Sequence, residues 1–352
     1  MNASRPIEFR VFSTCPYWTP DESDYLKRIH RIARWCENAG HEGALVYTDN
    51  STADPWLVAS EMLRATERLV PLIAVQPAYQ HPYTAAKLIS TFATLHRRRV
   101  ALNLVAGGFT NDLAALGDRT PHDDRYRRLT EYAQIVARLL AGNEPVTMAG
   151  RYYRVQDLTL APALPAEFRP EMLISGSSAS GLAAAAEIGA IPVRYPEPAA
   201  DDGAVLDTAA AVPGMSAVRV GIVARETSDL AWRAARRRFP RDRGGRIAHA
   251  MARNASDSVW HERLSEHDEH PAGLGSPYWL GPFRNYRSFC PYLVGDYETV
   301  AAEIVRYLRQ GCRIFVLDVP ADEAEIMHTG VVFGRARALG IGGGTVANEV
   351  SG

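Results

Sequence analysis

Neither sign of charge prevails in this chain of 352 residues: 39 lysines and arginines stand against 40 acidic side chains, a formal net charge of −1. Without a field of one sign, nothing steers it towards nucleic acid or an acidic lipid surface. It lacks any stretch of about 18 uninterrupted apolar residues, the length a membrane-crossing helix needs. The leading residues MNASRPIEFRVFS lack the basic segment and apolar run of a secretory signal. Cysteine is scarce and scattered: Cys15, Cys36, Cys290 and Cys312 form no CxxC pair, which argues against a zinc site and against a disulfide framework. A cytoplasmic protein is the expectation. Also missing are the Walker phosphate loop and the GxGxxG fingerprint, so no motif specifies a nucleotide.

What is present is 47% apolar residues, enough for a large core, in alternating strand-like and helix-like segments. Short runs of strand character occur at IEFRVFS (7–13), GALVYT (43–48), LVPLIAVQ (69–76), VALNLVAG (100–107), MLISG (172–176), AIPVRY (190–195), AVRVGIVAR (217–225) and CRIFVLDV (312–319). Most are followed by apolar residues three and four apart, as at Leu26, Ile29, Ile32, Ala33 and Cys36, the period of an amphipathic helix. Gly40, Gly142 and Gly311 sit where helices should stop, and Thr227 and Asp296 where they should be capped. Each crossover helix returns the chain to the same edge, so the strands must run parallel. Eight such units predict one α/β domain over residues 1–340, a (β/α)8 TIM barrel with insertions; an open, doubly wound sheet is the competing arrangement.

Two regions break the rhythm. Residues 143–170 alternate around an Ala-Gly turn and read as a β-hairpin insertion. Residues 239–291 are rich in Arg, His, Gly and Pro, show no helical period, and read as a long functional or mobile loop. The tail 341–352 reads as flexible.

A barrel carries its chemistry at the C-terminal ends of its strands. Those ends are polar and aromatic here, without clustered carboxylates or a nucleophile–base pair, which suits a bound cofactor. The sharpest local signal is Ser175-Gly176-Ser177-Ser178 between a strand and a helix. Small residues at a helix start offer backbone N–H groups to a phosphate; a plain serine cap is the alternative. His261, His267, Asp268, Glu269 and His270 are dense but irregularly spaced, which favours a solvated loop over a metal site. The arginines between Arg233 and Arg246 read as a solvated helix face or as contacts for an anion.

The stretches GALVYTDNSTADPWLVASEML, TERLVPLIAVQPAYQHPYTAAK, VALNLVAGGFTNDLAALGD, PHDDRYRRLTEYAQIVARLL, ISGSSASGLAAAAEIGA, VGIVARETSDLAW and LVGDYETVAAEIVRYLRQGCRIFVLD go further. With them the chain resembles the bacterial luciferase-like flavin-dependent monooxygenases, nearest the alkanesulfonate monooxygenase branch. The resemblance implies reduced FMN at the strand ends, with Asn103, Ala106 and Gly107 along its ring system. It places Tyr126 on the ribityl chain or phosphate, and Gly176, Ser177 and Ser178 around the phosphate. Residues 239–291 would be a mobile lid.

For catalysis it points to Arg219, Tyr195, His81 and Arg287, and for substrate contacts to Cys15, Thr52, Tyr79 and Tyr286. The chain departs from the sulfonate enzymes at Gly221, Val319 and Ala321, where they carry histidine, tyrosine and histidine. Cys15 and Thr52 likewise replace a histidine and a cysteine. The expected activity is oxygenation of a small organic substrate, with an anionic or polar group, by a two-component monooxygenase. Its partners would be dioxygen, a separate NAD(P)H-dependent flavin reductase and copies of itself in a dimer or tetramer. The rival expectations are a deazaflavin-dependent hydride-transfer oxidoreductase and a non-catalytic flavin-binding paralogue.

Overall fold

The computed structural model describes residues 8–19, 23–197, 215–267 and 276–342. Strands β1 (Arg10–Thr14), β2 (Gly43–Val46), β3 (Val70–Val75) and β4 (Ala101–Val105) are separated by helices α1 (Tyr25–Asn38), α2 (Pro55–Ala65) and α3 (Pro82–His96). After β4 come a short α4 (Thr110–Ala115), a long α5 (His122–Ala141) and the hairpin β5 (Val146–Ala149) and β6 (Arg154–Leu158). Then follow β7 (Met172–Ser175), α6 (Ala179–Ile188), β8 (Ile191–Arg194), β9 (Ser216–Arg225) and α7 (Ser228–Arg238). The next segment holds α8 (Arg243–Ala255), α9 (Val259–Glu266), β10 (Tyr278–Trp279) and α10 (Gly281–Arg284). The chain closes with β11 (Tyr292–Asp296), α11 (Tyr297–Arg309), β12 (Cys312–Leu317) and α12 (Glu323–Gly342).

The eight strands anticipated from sequence form one closed parallel barrel, in the order β1-β2-β3-β4-β7-β8-β9-β12. Val11 beside Phe315 returns the last strand to the first. Local chemistry explains the boundaries. Helix α1 buries Ile29, Ile32, Ala33 and Cys36, and Gly40 turns the chain away with φ +74°, which a side chain resists. Asp54 caps α2 by accepting from Trp56 and Leu57 N–H, both at 3.0 Å. Thr227 and Asp296 cap α7 and α11 as expected. The hairpin over β5 and β6 is also as expected.

The segment 239–291 differs from expectation. It is not one irregular loop: its described residues hold three helices. The helical period is hidden because α8 turns its large apolar residues outward, Ile247 being 56% and Met251 68% exposed. Strand β11 is likewise unanticipated. It pairs with the outer half of β9, Gly221 to Arg225, while the inner half pairs with β12. The expected flexible tail falls almost entirely at 343–352, outside the described residues.

At Gly221 the backbone has no room for a side chain: a Cβ would lie 2.3 Å from the Tyr292 ring. The position that carries histidine in the sulfonate enzymes is thus filled by a tyrosine from the neighbouring strand. Gly221→Ala should destabilise the protein by about 1–3 kcal/mol, read as a lower denaturant midpoint. An unchanged midpoint would show that Tyr292 yields freely.

Candidate active site

Side chains along each barrel strand alternate between the interior and the helix shell. One interior layer is apolar: Phe12, Leu45, Leu72, Ala101, Leu173, Val193, Ala217 and Val316 share a buried cluster. Two residues further towards each C-terminal end, the same alternation reaches Thr14, Tyr47, Ala74, Asn103, Ser175, Tyr195, Arg219 and Asp318. All but Ala74 are polar or aromatic with a hydroxyl. A cavity of about 1170 Å³, its open mouth included, rises above this layer, with Tyr47, Asn103, Ser175, Tyr195 and Arg219 in its wall.

On one side of the cavity lies the turn from β7 into α6. Ser178 caps the helix by accepting from Gly181 N–H at 3.1 Å. The Ser177 hydroxyl is buried and has no partner. Gly176 cannot carry a side chain, because a Cβ there would lie 2.3 Å from the Tyr126 hydroxyl. Tyr126, from α5, thus backs the turn and presses on Gly176 and Gly181. An unpaired hydroxyl, open backbone and a helix N-terminus form a cradle that fits a phosphate. Ser175 donates to Asn103 Oδ1 at 2.9 Å, which orients that amide and leaves its nitrogen as a donor. Gly107, at φ +102°, turns the chain beside it, where a Cβ would press on Leu113 at 3.1 Å.

The opposite wall is built on Arg219. Its guanidinium is buried and donates to Thr14 and to the Leu317 carbonyl, and lies 3.4 Å from Asp318. Asp318 also accepts from Ser288 at 2.6 Å and from Tyr292 at 2.8 Å. Burial works against the charge on Arg219, but Cys290 and Asp318, with Tyr17 and Tyr195, raise its pKa overall. Burial pushes the Tyr195 phenol up to about 12, so it stays neutral and able to donate. Burial also raises the Cys15 thiol far out of the reactive range.

The third wall comes from the loop between α8 and α9 and from the first turn of α9. Trp260 stacks on Tyr195, with centroids 3.8 Å apart and planes 8° from parallel. Ser256 donates to the Gly108 carbonyl at 3.1 Å, and Asp257 accepts from the buried Arg125 at 2.6 Å. These contacts pin the segment across the cavity mouth.

The structure therefore brings Asn103, Ala106, Gly107, Tyr126, Gly176, Ser177, Ser178, Tyr195 and Arg219 to one cavity. The other candidates lie outside its lining. His81 caps α3, its ring nitrogen accepting from Tyr83 N–H at 3.2 Å. Cys15, one residue past the inward Thr14, points into the core between barrel and helices. Thr52 is occupied in the turn after β2, accepting from Asp49 N–H at 3.2 Å. Tyr79 donates to Asn50 at 2.7 Å. Tyr286 packs edge-on to Phe289, and Arg287, on the surface, pairs with Asp242 at 2.6 Å.

Tyr17, Tyr47, Trp260 and Phe289 enter the lining unselected by the sequence reading. Tyr47 stands at a strand end, two residues past the inward Leu45, where the alternation finds it; Tyr17 lies three residues beyond β1 and out of that phase. Among the described residues no three His, Cys, Asp or Glu side chains group as metal ligands; Asp268, Glu269 and His270 lie outside the described residues. No described helix is long and apolar enough to cross a membrane.

The sequence profile of luciferase-like monooxygenases matches residues 7–313. The chain belongs to the luciferase-like monooxygenase family. It is 35% identical, over 87% of its length and 90% of the relative's, to 4-(gamma-L-glutamylamino)butanoyl-[BtrI acyl-carrier protein] monooxygenase BtrO of Niallia circulans. Its fold matches the EDTA monooxygenase of Chelativorans sp. BNC1 with a TM-score of 0.71 at 16% identity, over 95% of each chain. It also matches the oxygenating constituent of 3,6-diketocamphane monooxygenase from Pseudomonas putida, solved in complex with FMN. That match has a TM-score of 0.67 at 15% identity, over 93% and 97% of the two chains. The chain is thus an enzyme of the flavin-dependent monooxygenase class.

His261, at 1% exposure, is held neutral by burial, its pKa lowered to about 4. An unfolded histidine binds its proton near 6.5, so the stabilisation is complete above that pH and is lost as pH falls towards 4. Fluorescence of the neighbouring Trp260 should report loosening over that window in the native enzyme and not in His261→Phe. The same transition in the variant would assign it to another group. Asp257→Ala should speed hydrogen exchange across α8 and α9, since Arg125 loses its carboxylate partner. Unchanged protection would mean the segment is held elsewhere.

Proposed function

We propose that the protein is the oxygenase of a two-component system. It takes reduced FMN from a separate NAD(P)H-dependent reductase and transfers one atom of dioxygen to a small acyl substrate. The observation that carries this is the buried, unpartnered Ser177 hydroxyl at the start of α6, where a phosphate would complete its hydrogen bonding. Bound reduced FMN would supply the electrons that activate dioxygen.

The chain's own residues do the rest. Ser177 and the first N–H groups of α6 hold the phosphate, and Tyr126 keeps their turn in place. Asn103 donates its amide towards the ring system, with Ala106 and Gly107 leaving room beside it. Tyr195, protonated at neutral pH, offers a hydrogen bond to the substrate's polar atom. Trp260 covers Tyr195 and, with the segment 239–291 acting as a mobile lid, excludes water during the reaction. Arg219 has Asp318 against its charge, so it serves to shape the wall rather than to bind a free anion.

The substrate is an acyl group presented on an acyl carrier protein. The supporting observation is 35% identity over 90% of a relative named for such a substrate. Association into a dimer or tetramer through the barrel helices remains part of the proposal.

Titration separates the phosphate from the ring. Ser177→Ala should weaken FMN binding about tenfold and leave riboflavin, which has no phosphate, unaffected. Equal loss for both flavins, or no binding of FMN by the unmodified protein, overturns the assignment.

A further inference from the structure

Resting on this reading of a carrier-bound acyl substrate, we propose that the outward face of α8 is the docking surface for the acyl carrier protein. Residues Arg243, Arg246, Ile247, Ala250 and Met251 are spaced three and four apart, so they share one face, and every one of them is exposed. The opposite face is turned inward, with Ala252 buried and Gly245, Ala248 and His249 half-buried. A helix of a globular protein ordinarily hides its large apolar residues; this one displays Ile247 and Met251 one turn apart, with Arg243 a turn before Ile247. Two such side chains one turn apart form a small apolar patch bordered by arginines.

The charge around the patch selects the occupant. Arg243, Arg246 and Arg253 are exposed on α8, and Arg284 of α10 shares a surface hollow with Arg246 and Arg253, in a protein whose net charge is −1. Of the nearby acids, Glu266 faces Arg253 at 3.9 Å and Asp242 precedes the helix. Asp242 is itself paired with Arg287. A second copy of this chain would bring arginines against arginines across a two-fold contact, which is repulsive. An acidic partner with an apolar helix face complements both the charge and the patch. Acyl carrier proteins are small, acidic and helical, and they present the acyl group as a thioester on a long phosphorylated arm.

Position completes the argument. Helix α8 ends at Ala255, and the next residues, Ser256 to Trp260, line the cavity. Met251 is five residues from Ser256, roughly 7 Å along a helix axis. A carrier seated on α8 would therefore hold the root of its arm beside the rim. The wall nearest that rim, Trp260 over Tyr195, is aromatic and suits a narrow chain passing over it.

The test is binding of a fluorescently labelled bacterial fatty-acid-synthase holo acyl carrier protein, followed by anisotropy with the full-length enzyme. Saturable binding that weakens as salt is raised is expected. Arg243→Glu with Arg253→Glu should weaken it at least about tenfold, as should Ile247→Ser with Met251→Ser. Arg309→Glu, at an exposed position on α11, should leave it unchanged.

FMN titration of every variant distinguishes the two levels of the proposal. Variants that bind FMN normally and bind the carrier as tightly as the native enzyme overturn the docking surface and leave the oxygenase reading intact. Failure of the native enzyme to bind FMN overturns the oxygenase reading itself. A dimer in sedimentation that Ile247→Ser with Met251→Ser converts to monomer would give the face to a second copy, and displacement of the carrier by duplex DNA would give it to nucleic acid; either overturns the proposal.

Discussion

A buried guanidinium must be matched where it lies, and Arg219 sets that requirement at the mouth of the barrel. It reaches from β9 to Thr14 on β1, to the last carbonyl of β12 and to Asp318 just beyond. Those are the strands that close the cylinder. Asp318 in turn gathers Ser288 and Tyr292, which tie in the end of the 239–291 segment and β11. Leaving such a charge without its partner costs about 3–5 kcal/mol, so barrel closure and the wall of the cavity are one energetic unit. The same network explains why β9 can serve two neighbours, β12 by its inner half and β11 by its outer half.

Opposite that charged wall, the site depends on small residues rather than on charge. Tyr126 occupies the space that side chains at Gly176 and Gly181 would need. The turn it supports leaves the Ser177 hydroxyl buried without a partner, a cost the fold carries unless a ligand accepts from it. The two walls thus divide the labour: one is internally satisfied and rigid, the other is incomplete. Between them, Trp260 lies stacked on Tyr195. It is held by Arg125 and Asp257 and by contacts to the β4 loop, not by the barrel strands themselves.

Much of the fold was legible in the residues. All eight barrel strands, the hairpin and the caps at Thr227 and Asp296 follow from period, propensity and turn chemistry, which are local. The Ser175–Ser178 turn was legible for the same reason. A histidine before Pro82 at a helix start reads equally as a ligand and as a cap, and His81 does cap α3, accepting from Tyr83 N–H. Strand alternation carried one residue past the inward Thr14 turns Cys15 outward, into the core between barrel and helices.

The sequence by itself determined the class of architecture, the parallel order and the place of the serine-glycine turn at the start of α6, since each is written in a few adjacent residues. Only the tertiary structure decided that Tyr292 fills the space at Gly221, that Asp257 anchors Arg125 and that Trp260 covers Tyr195. It alone turned Ile247 and Met251 to the solvent. Those pairs lie far apart along the chain, and no local period records which face of a helix finds a partner; the packing of the whole barrel does.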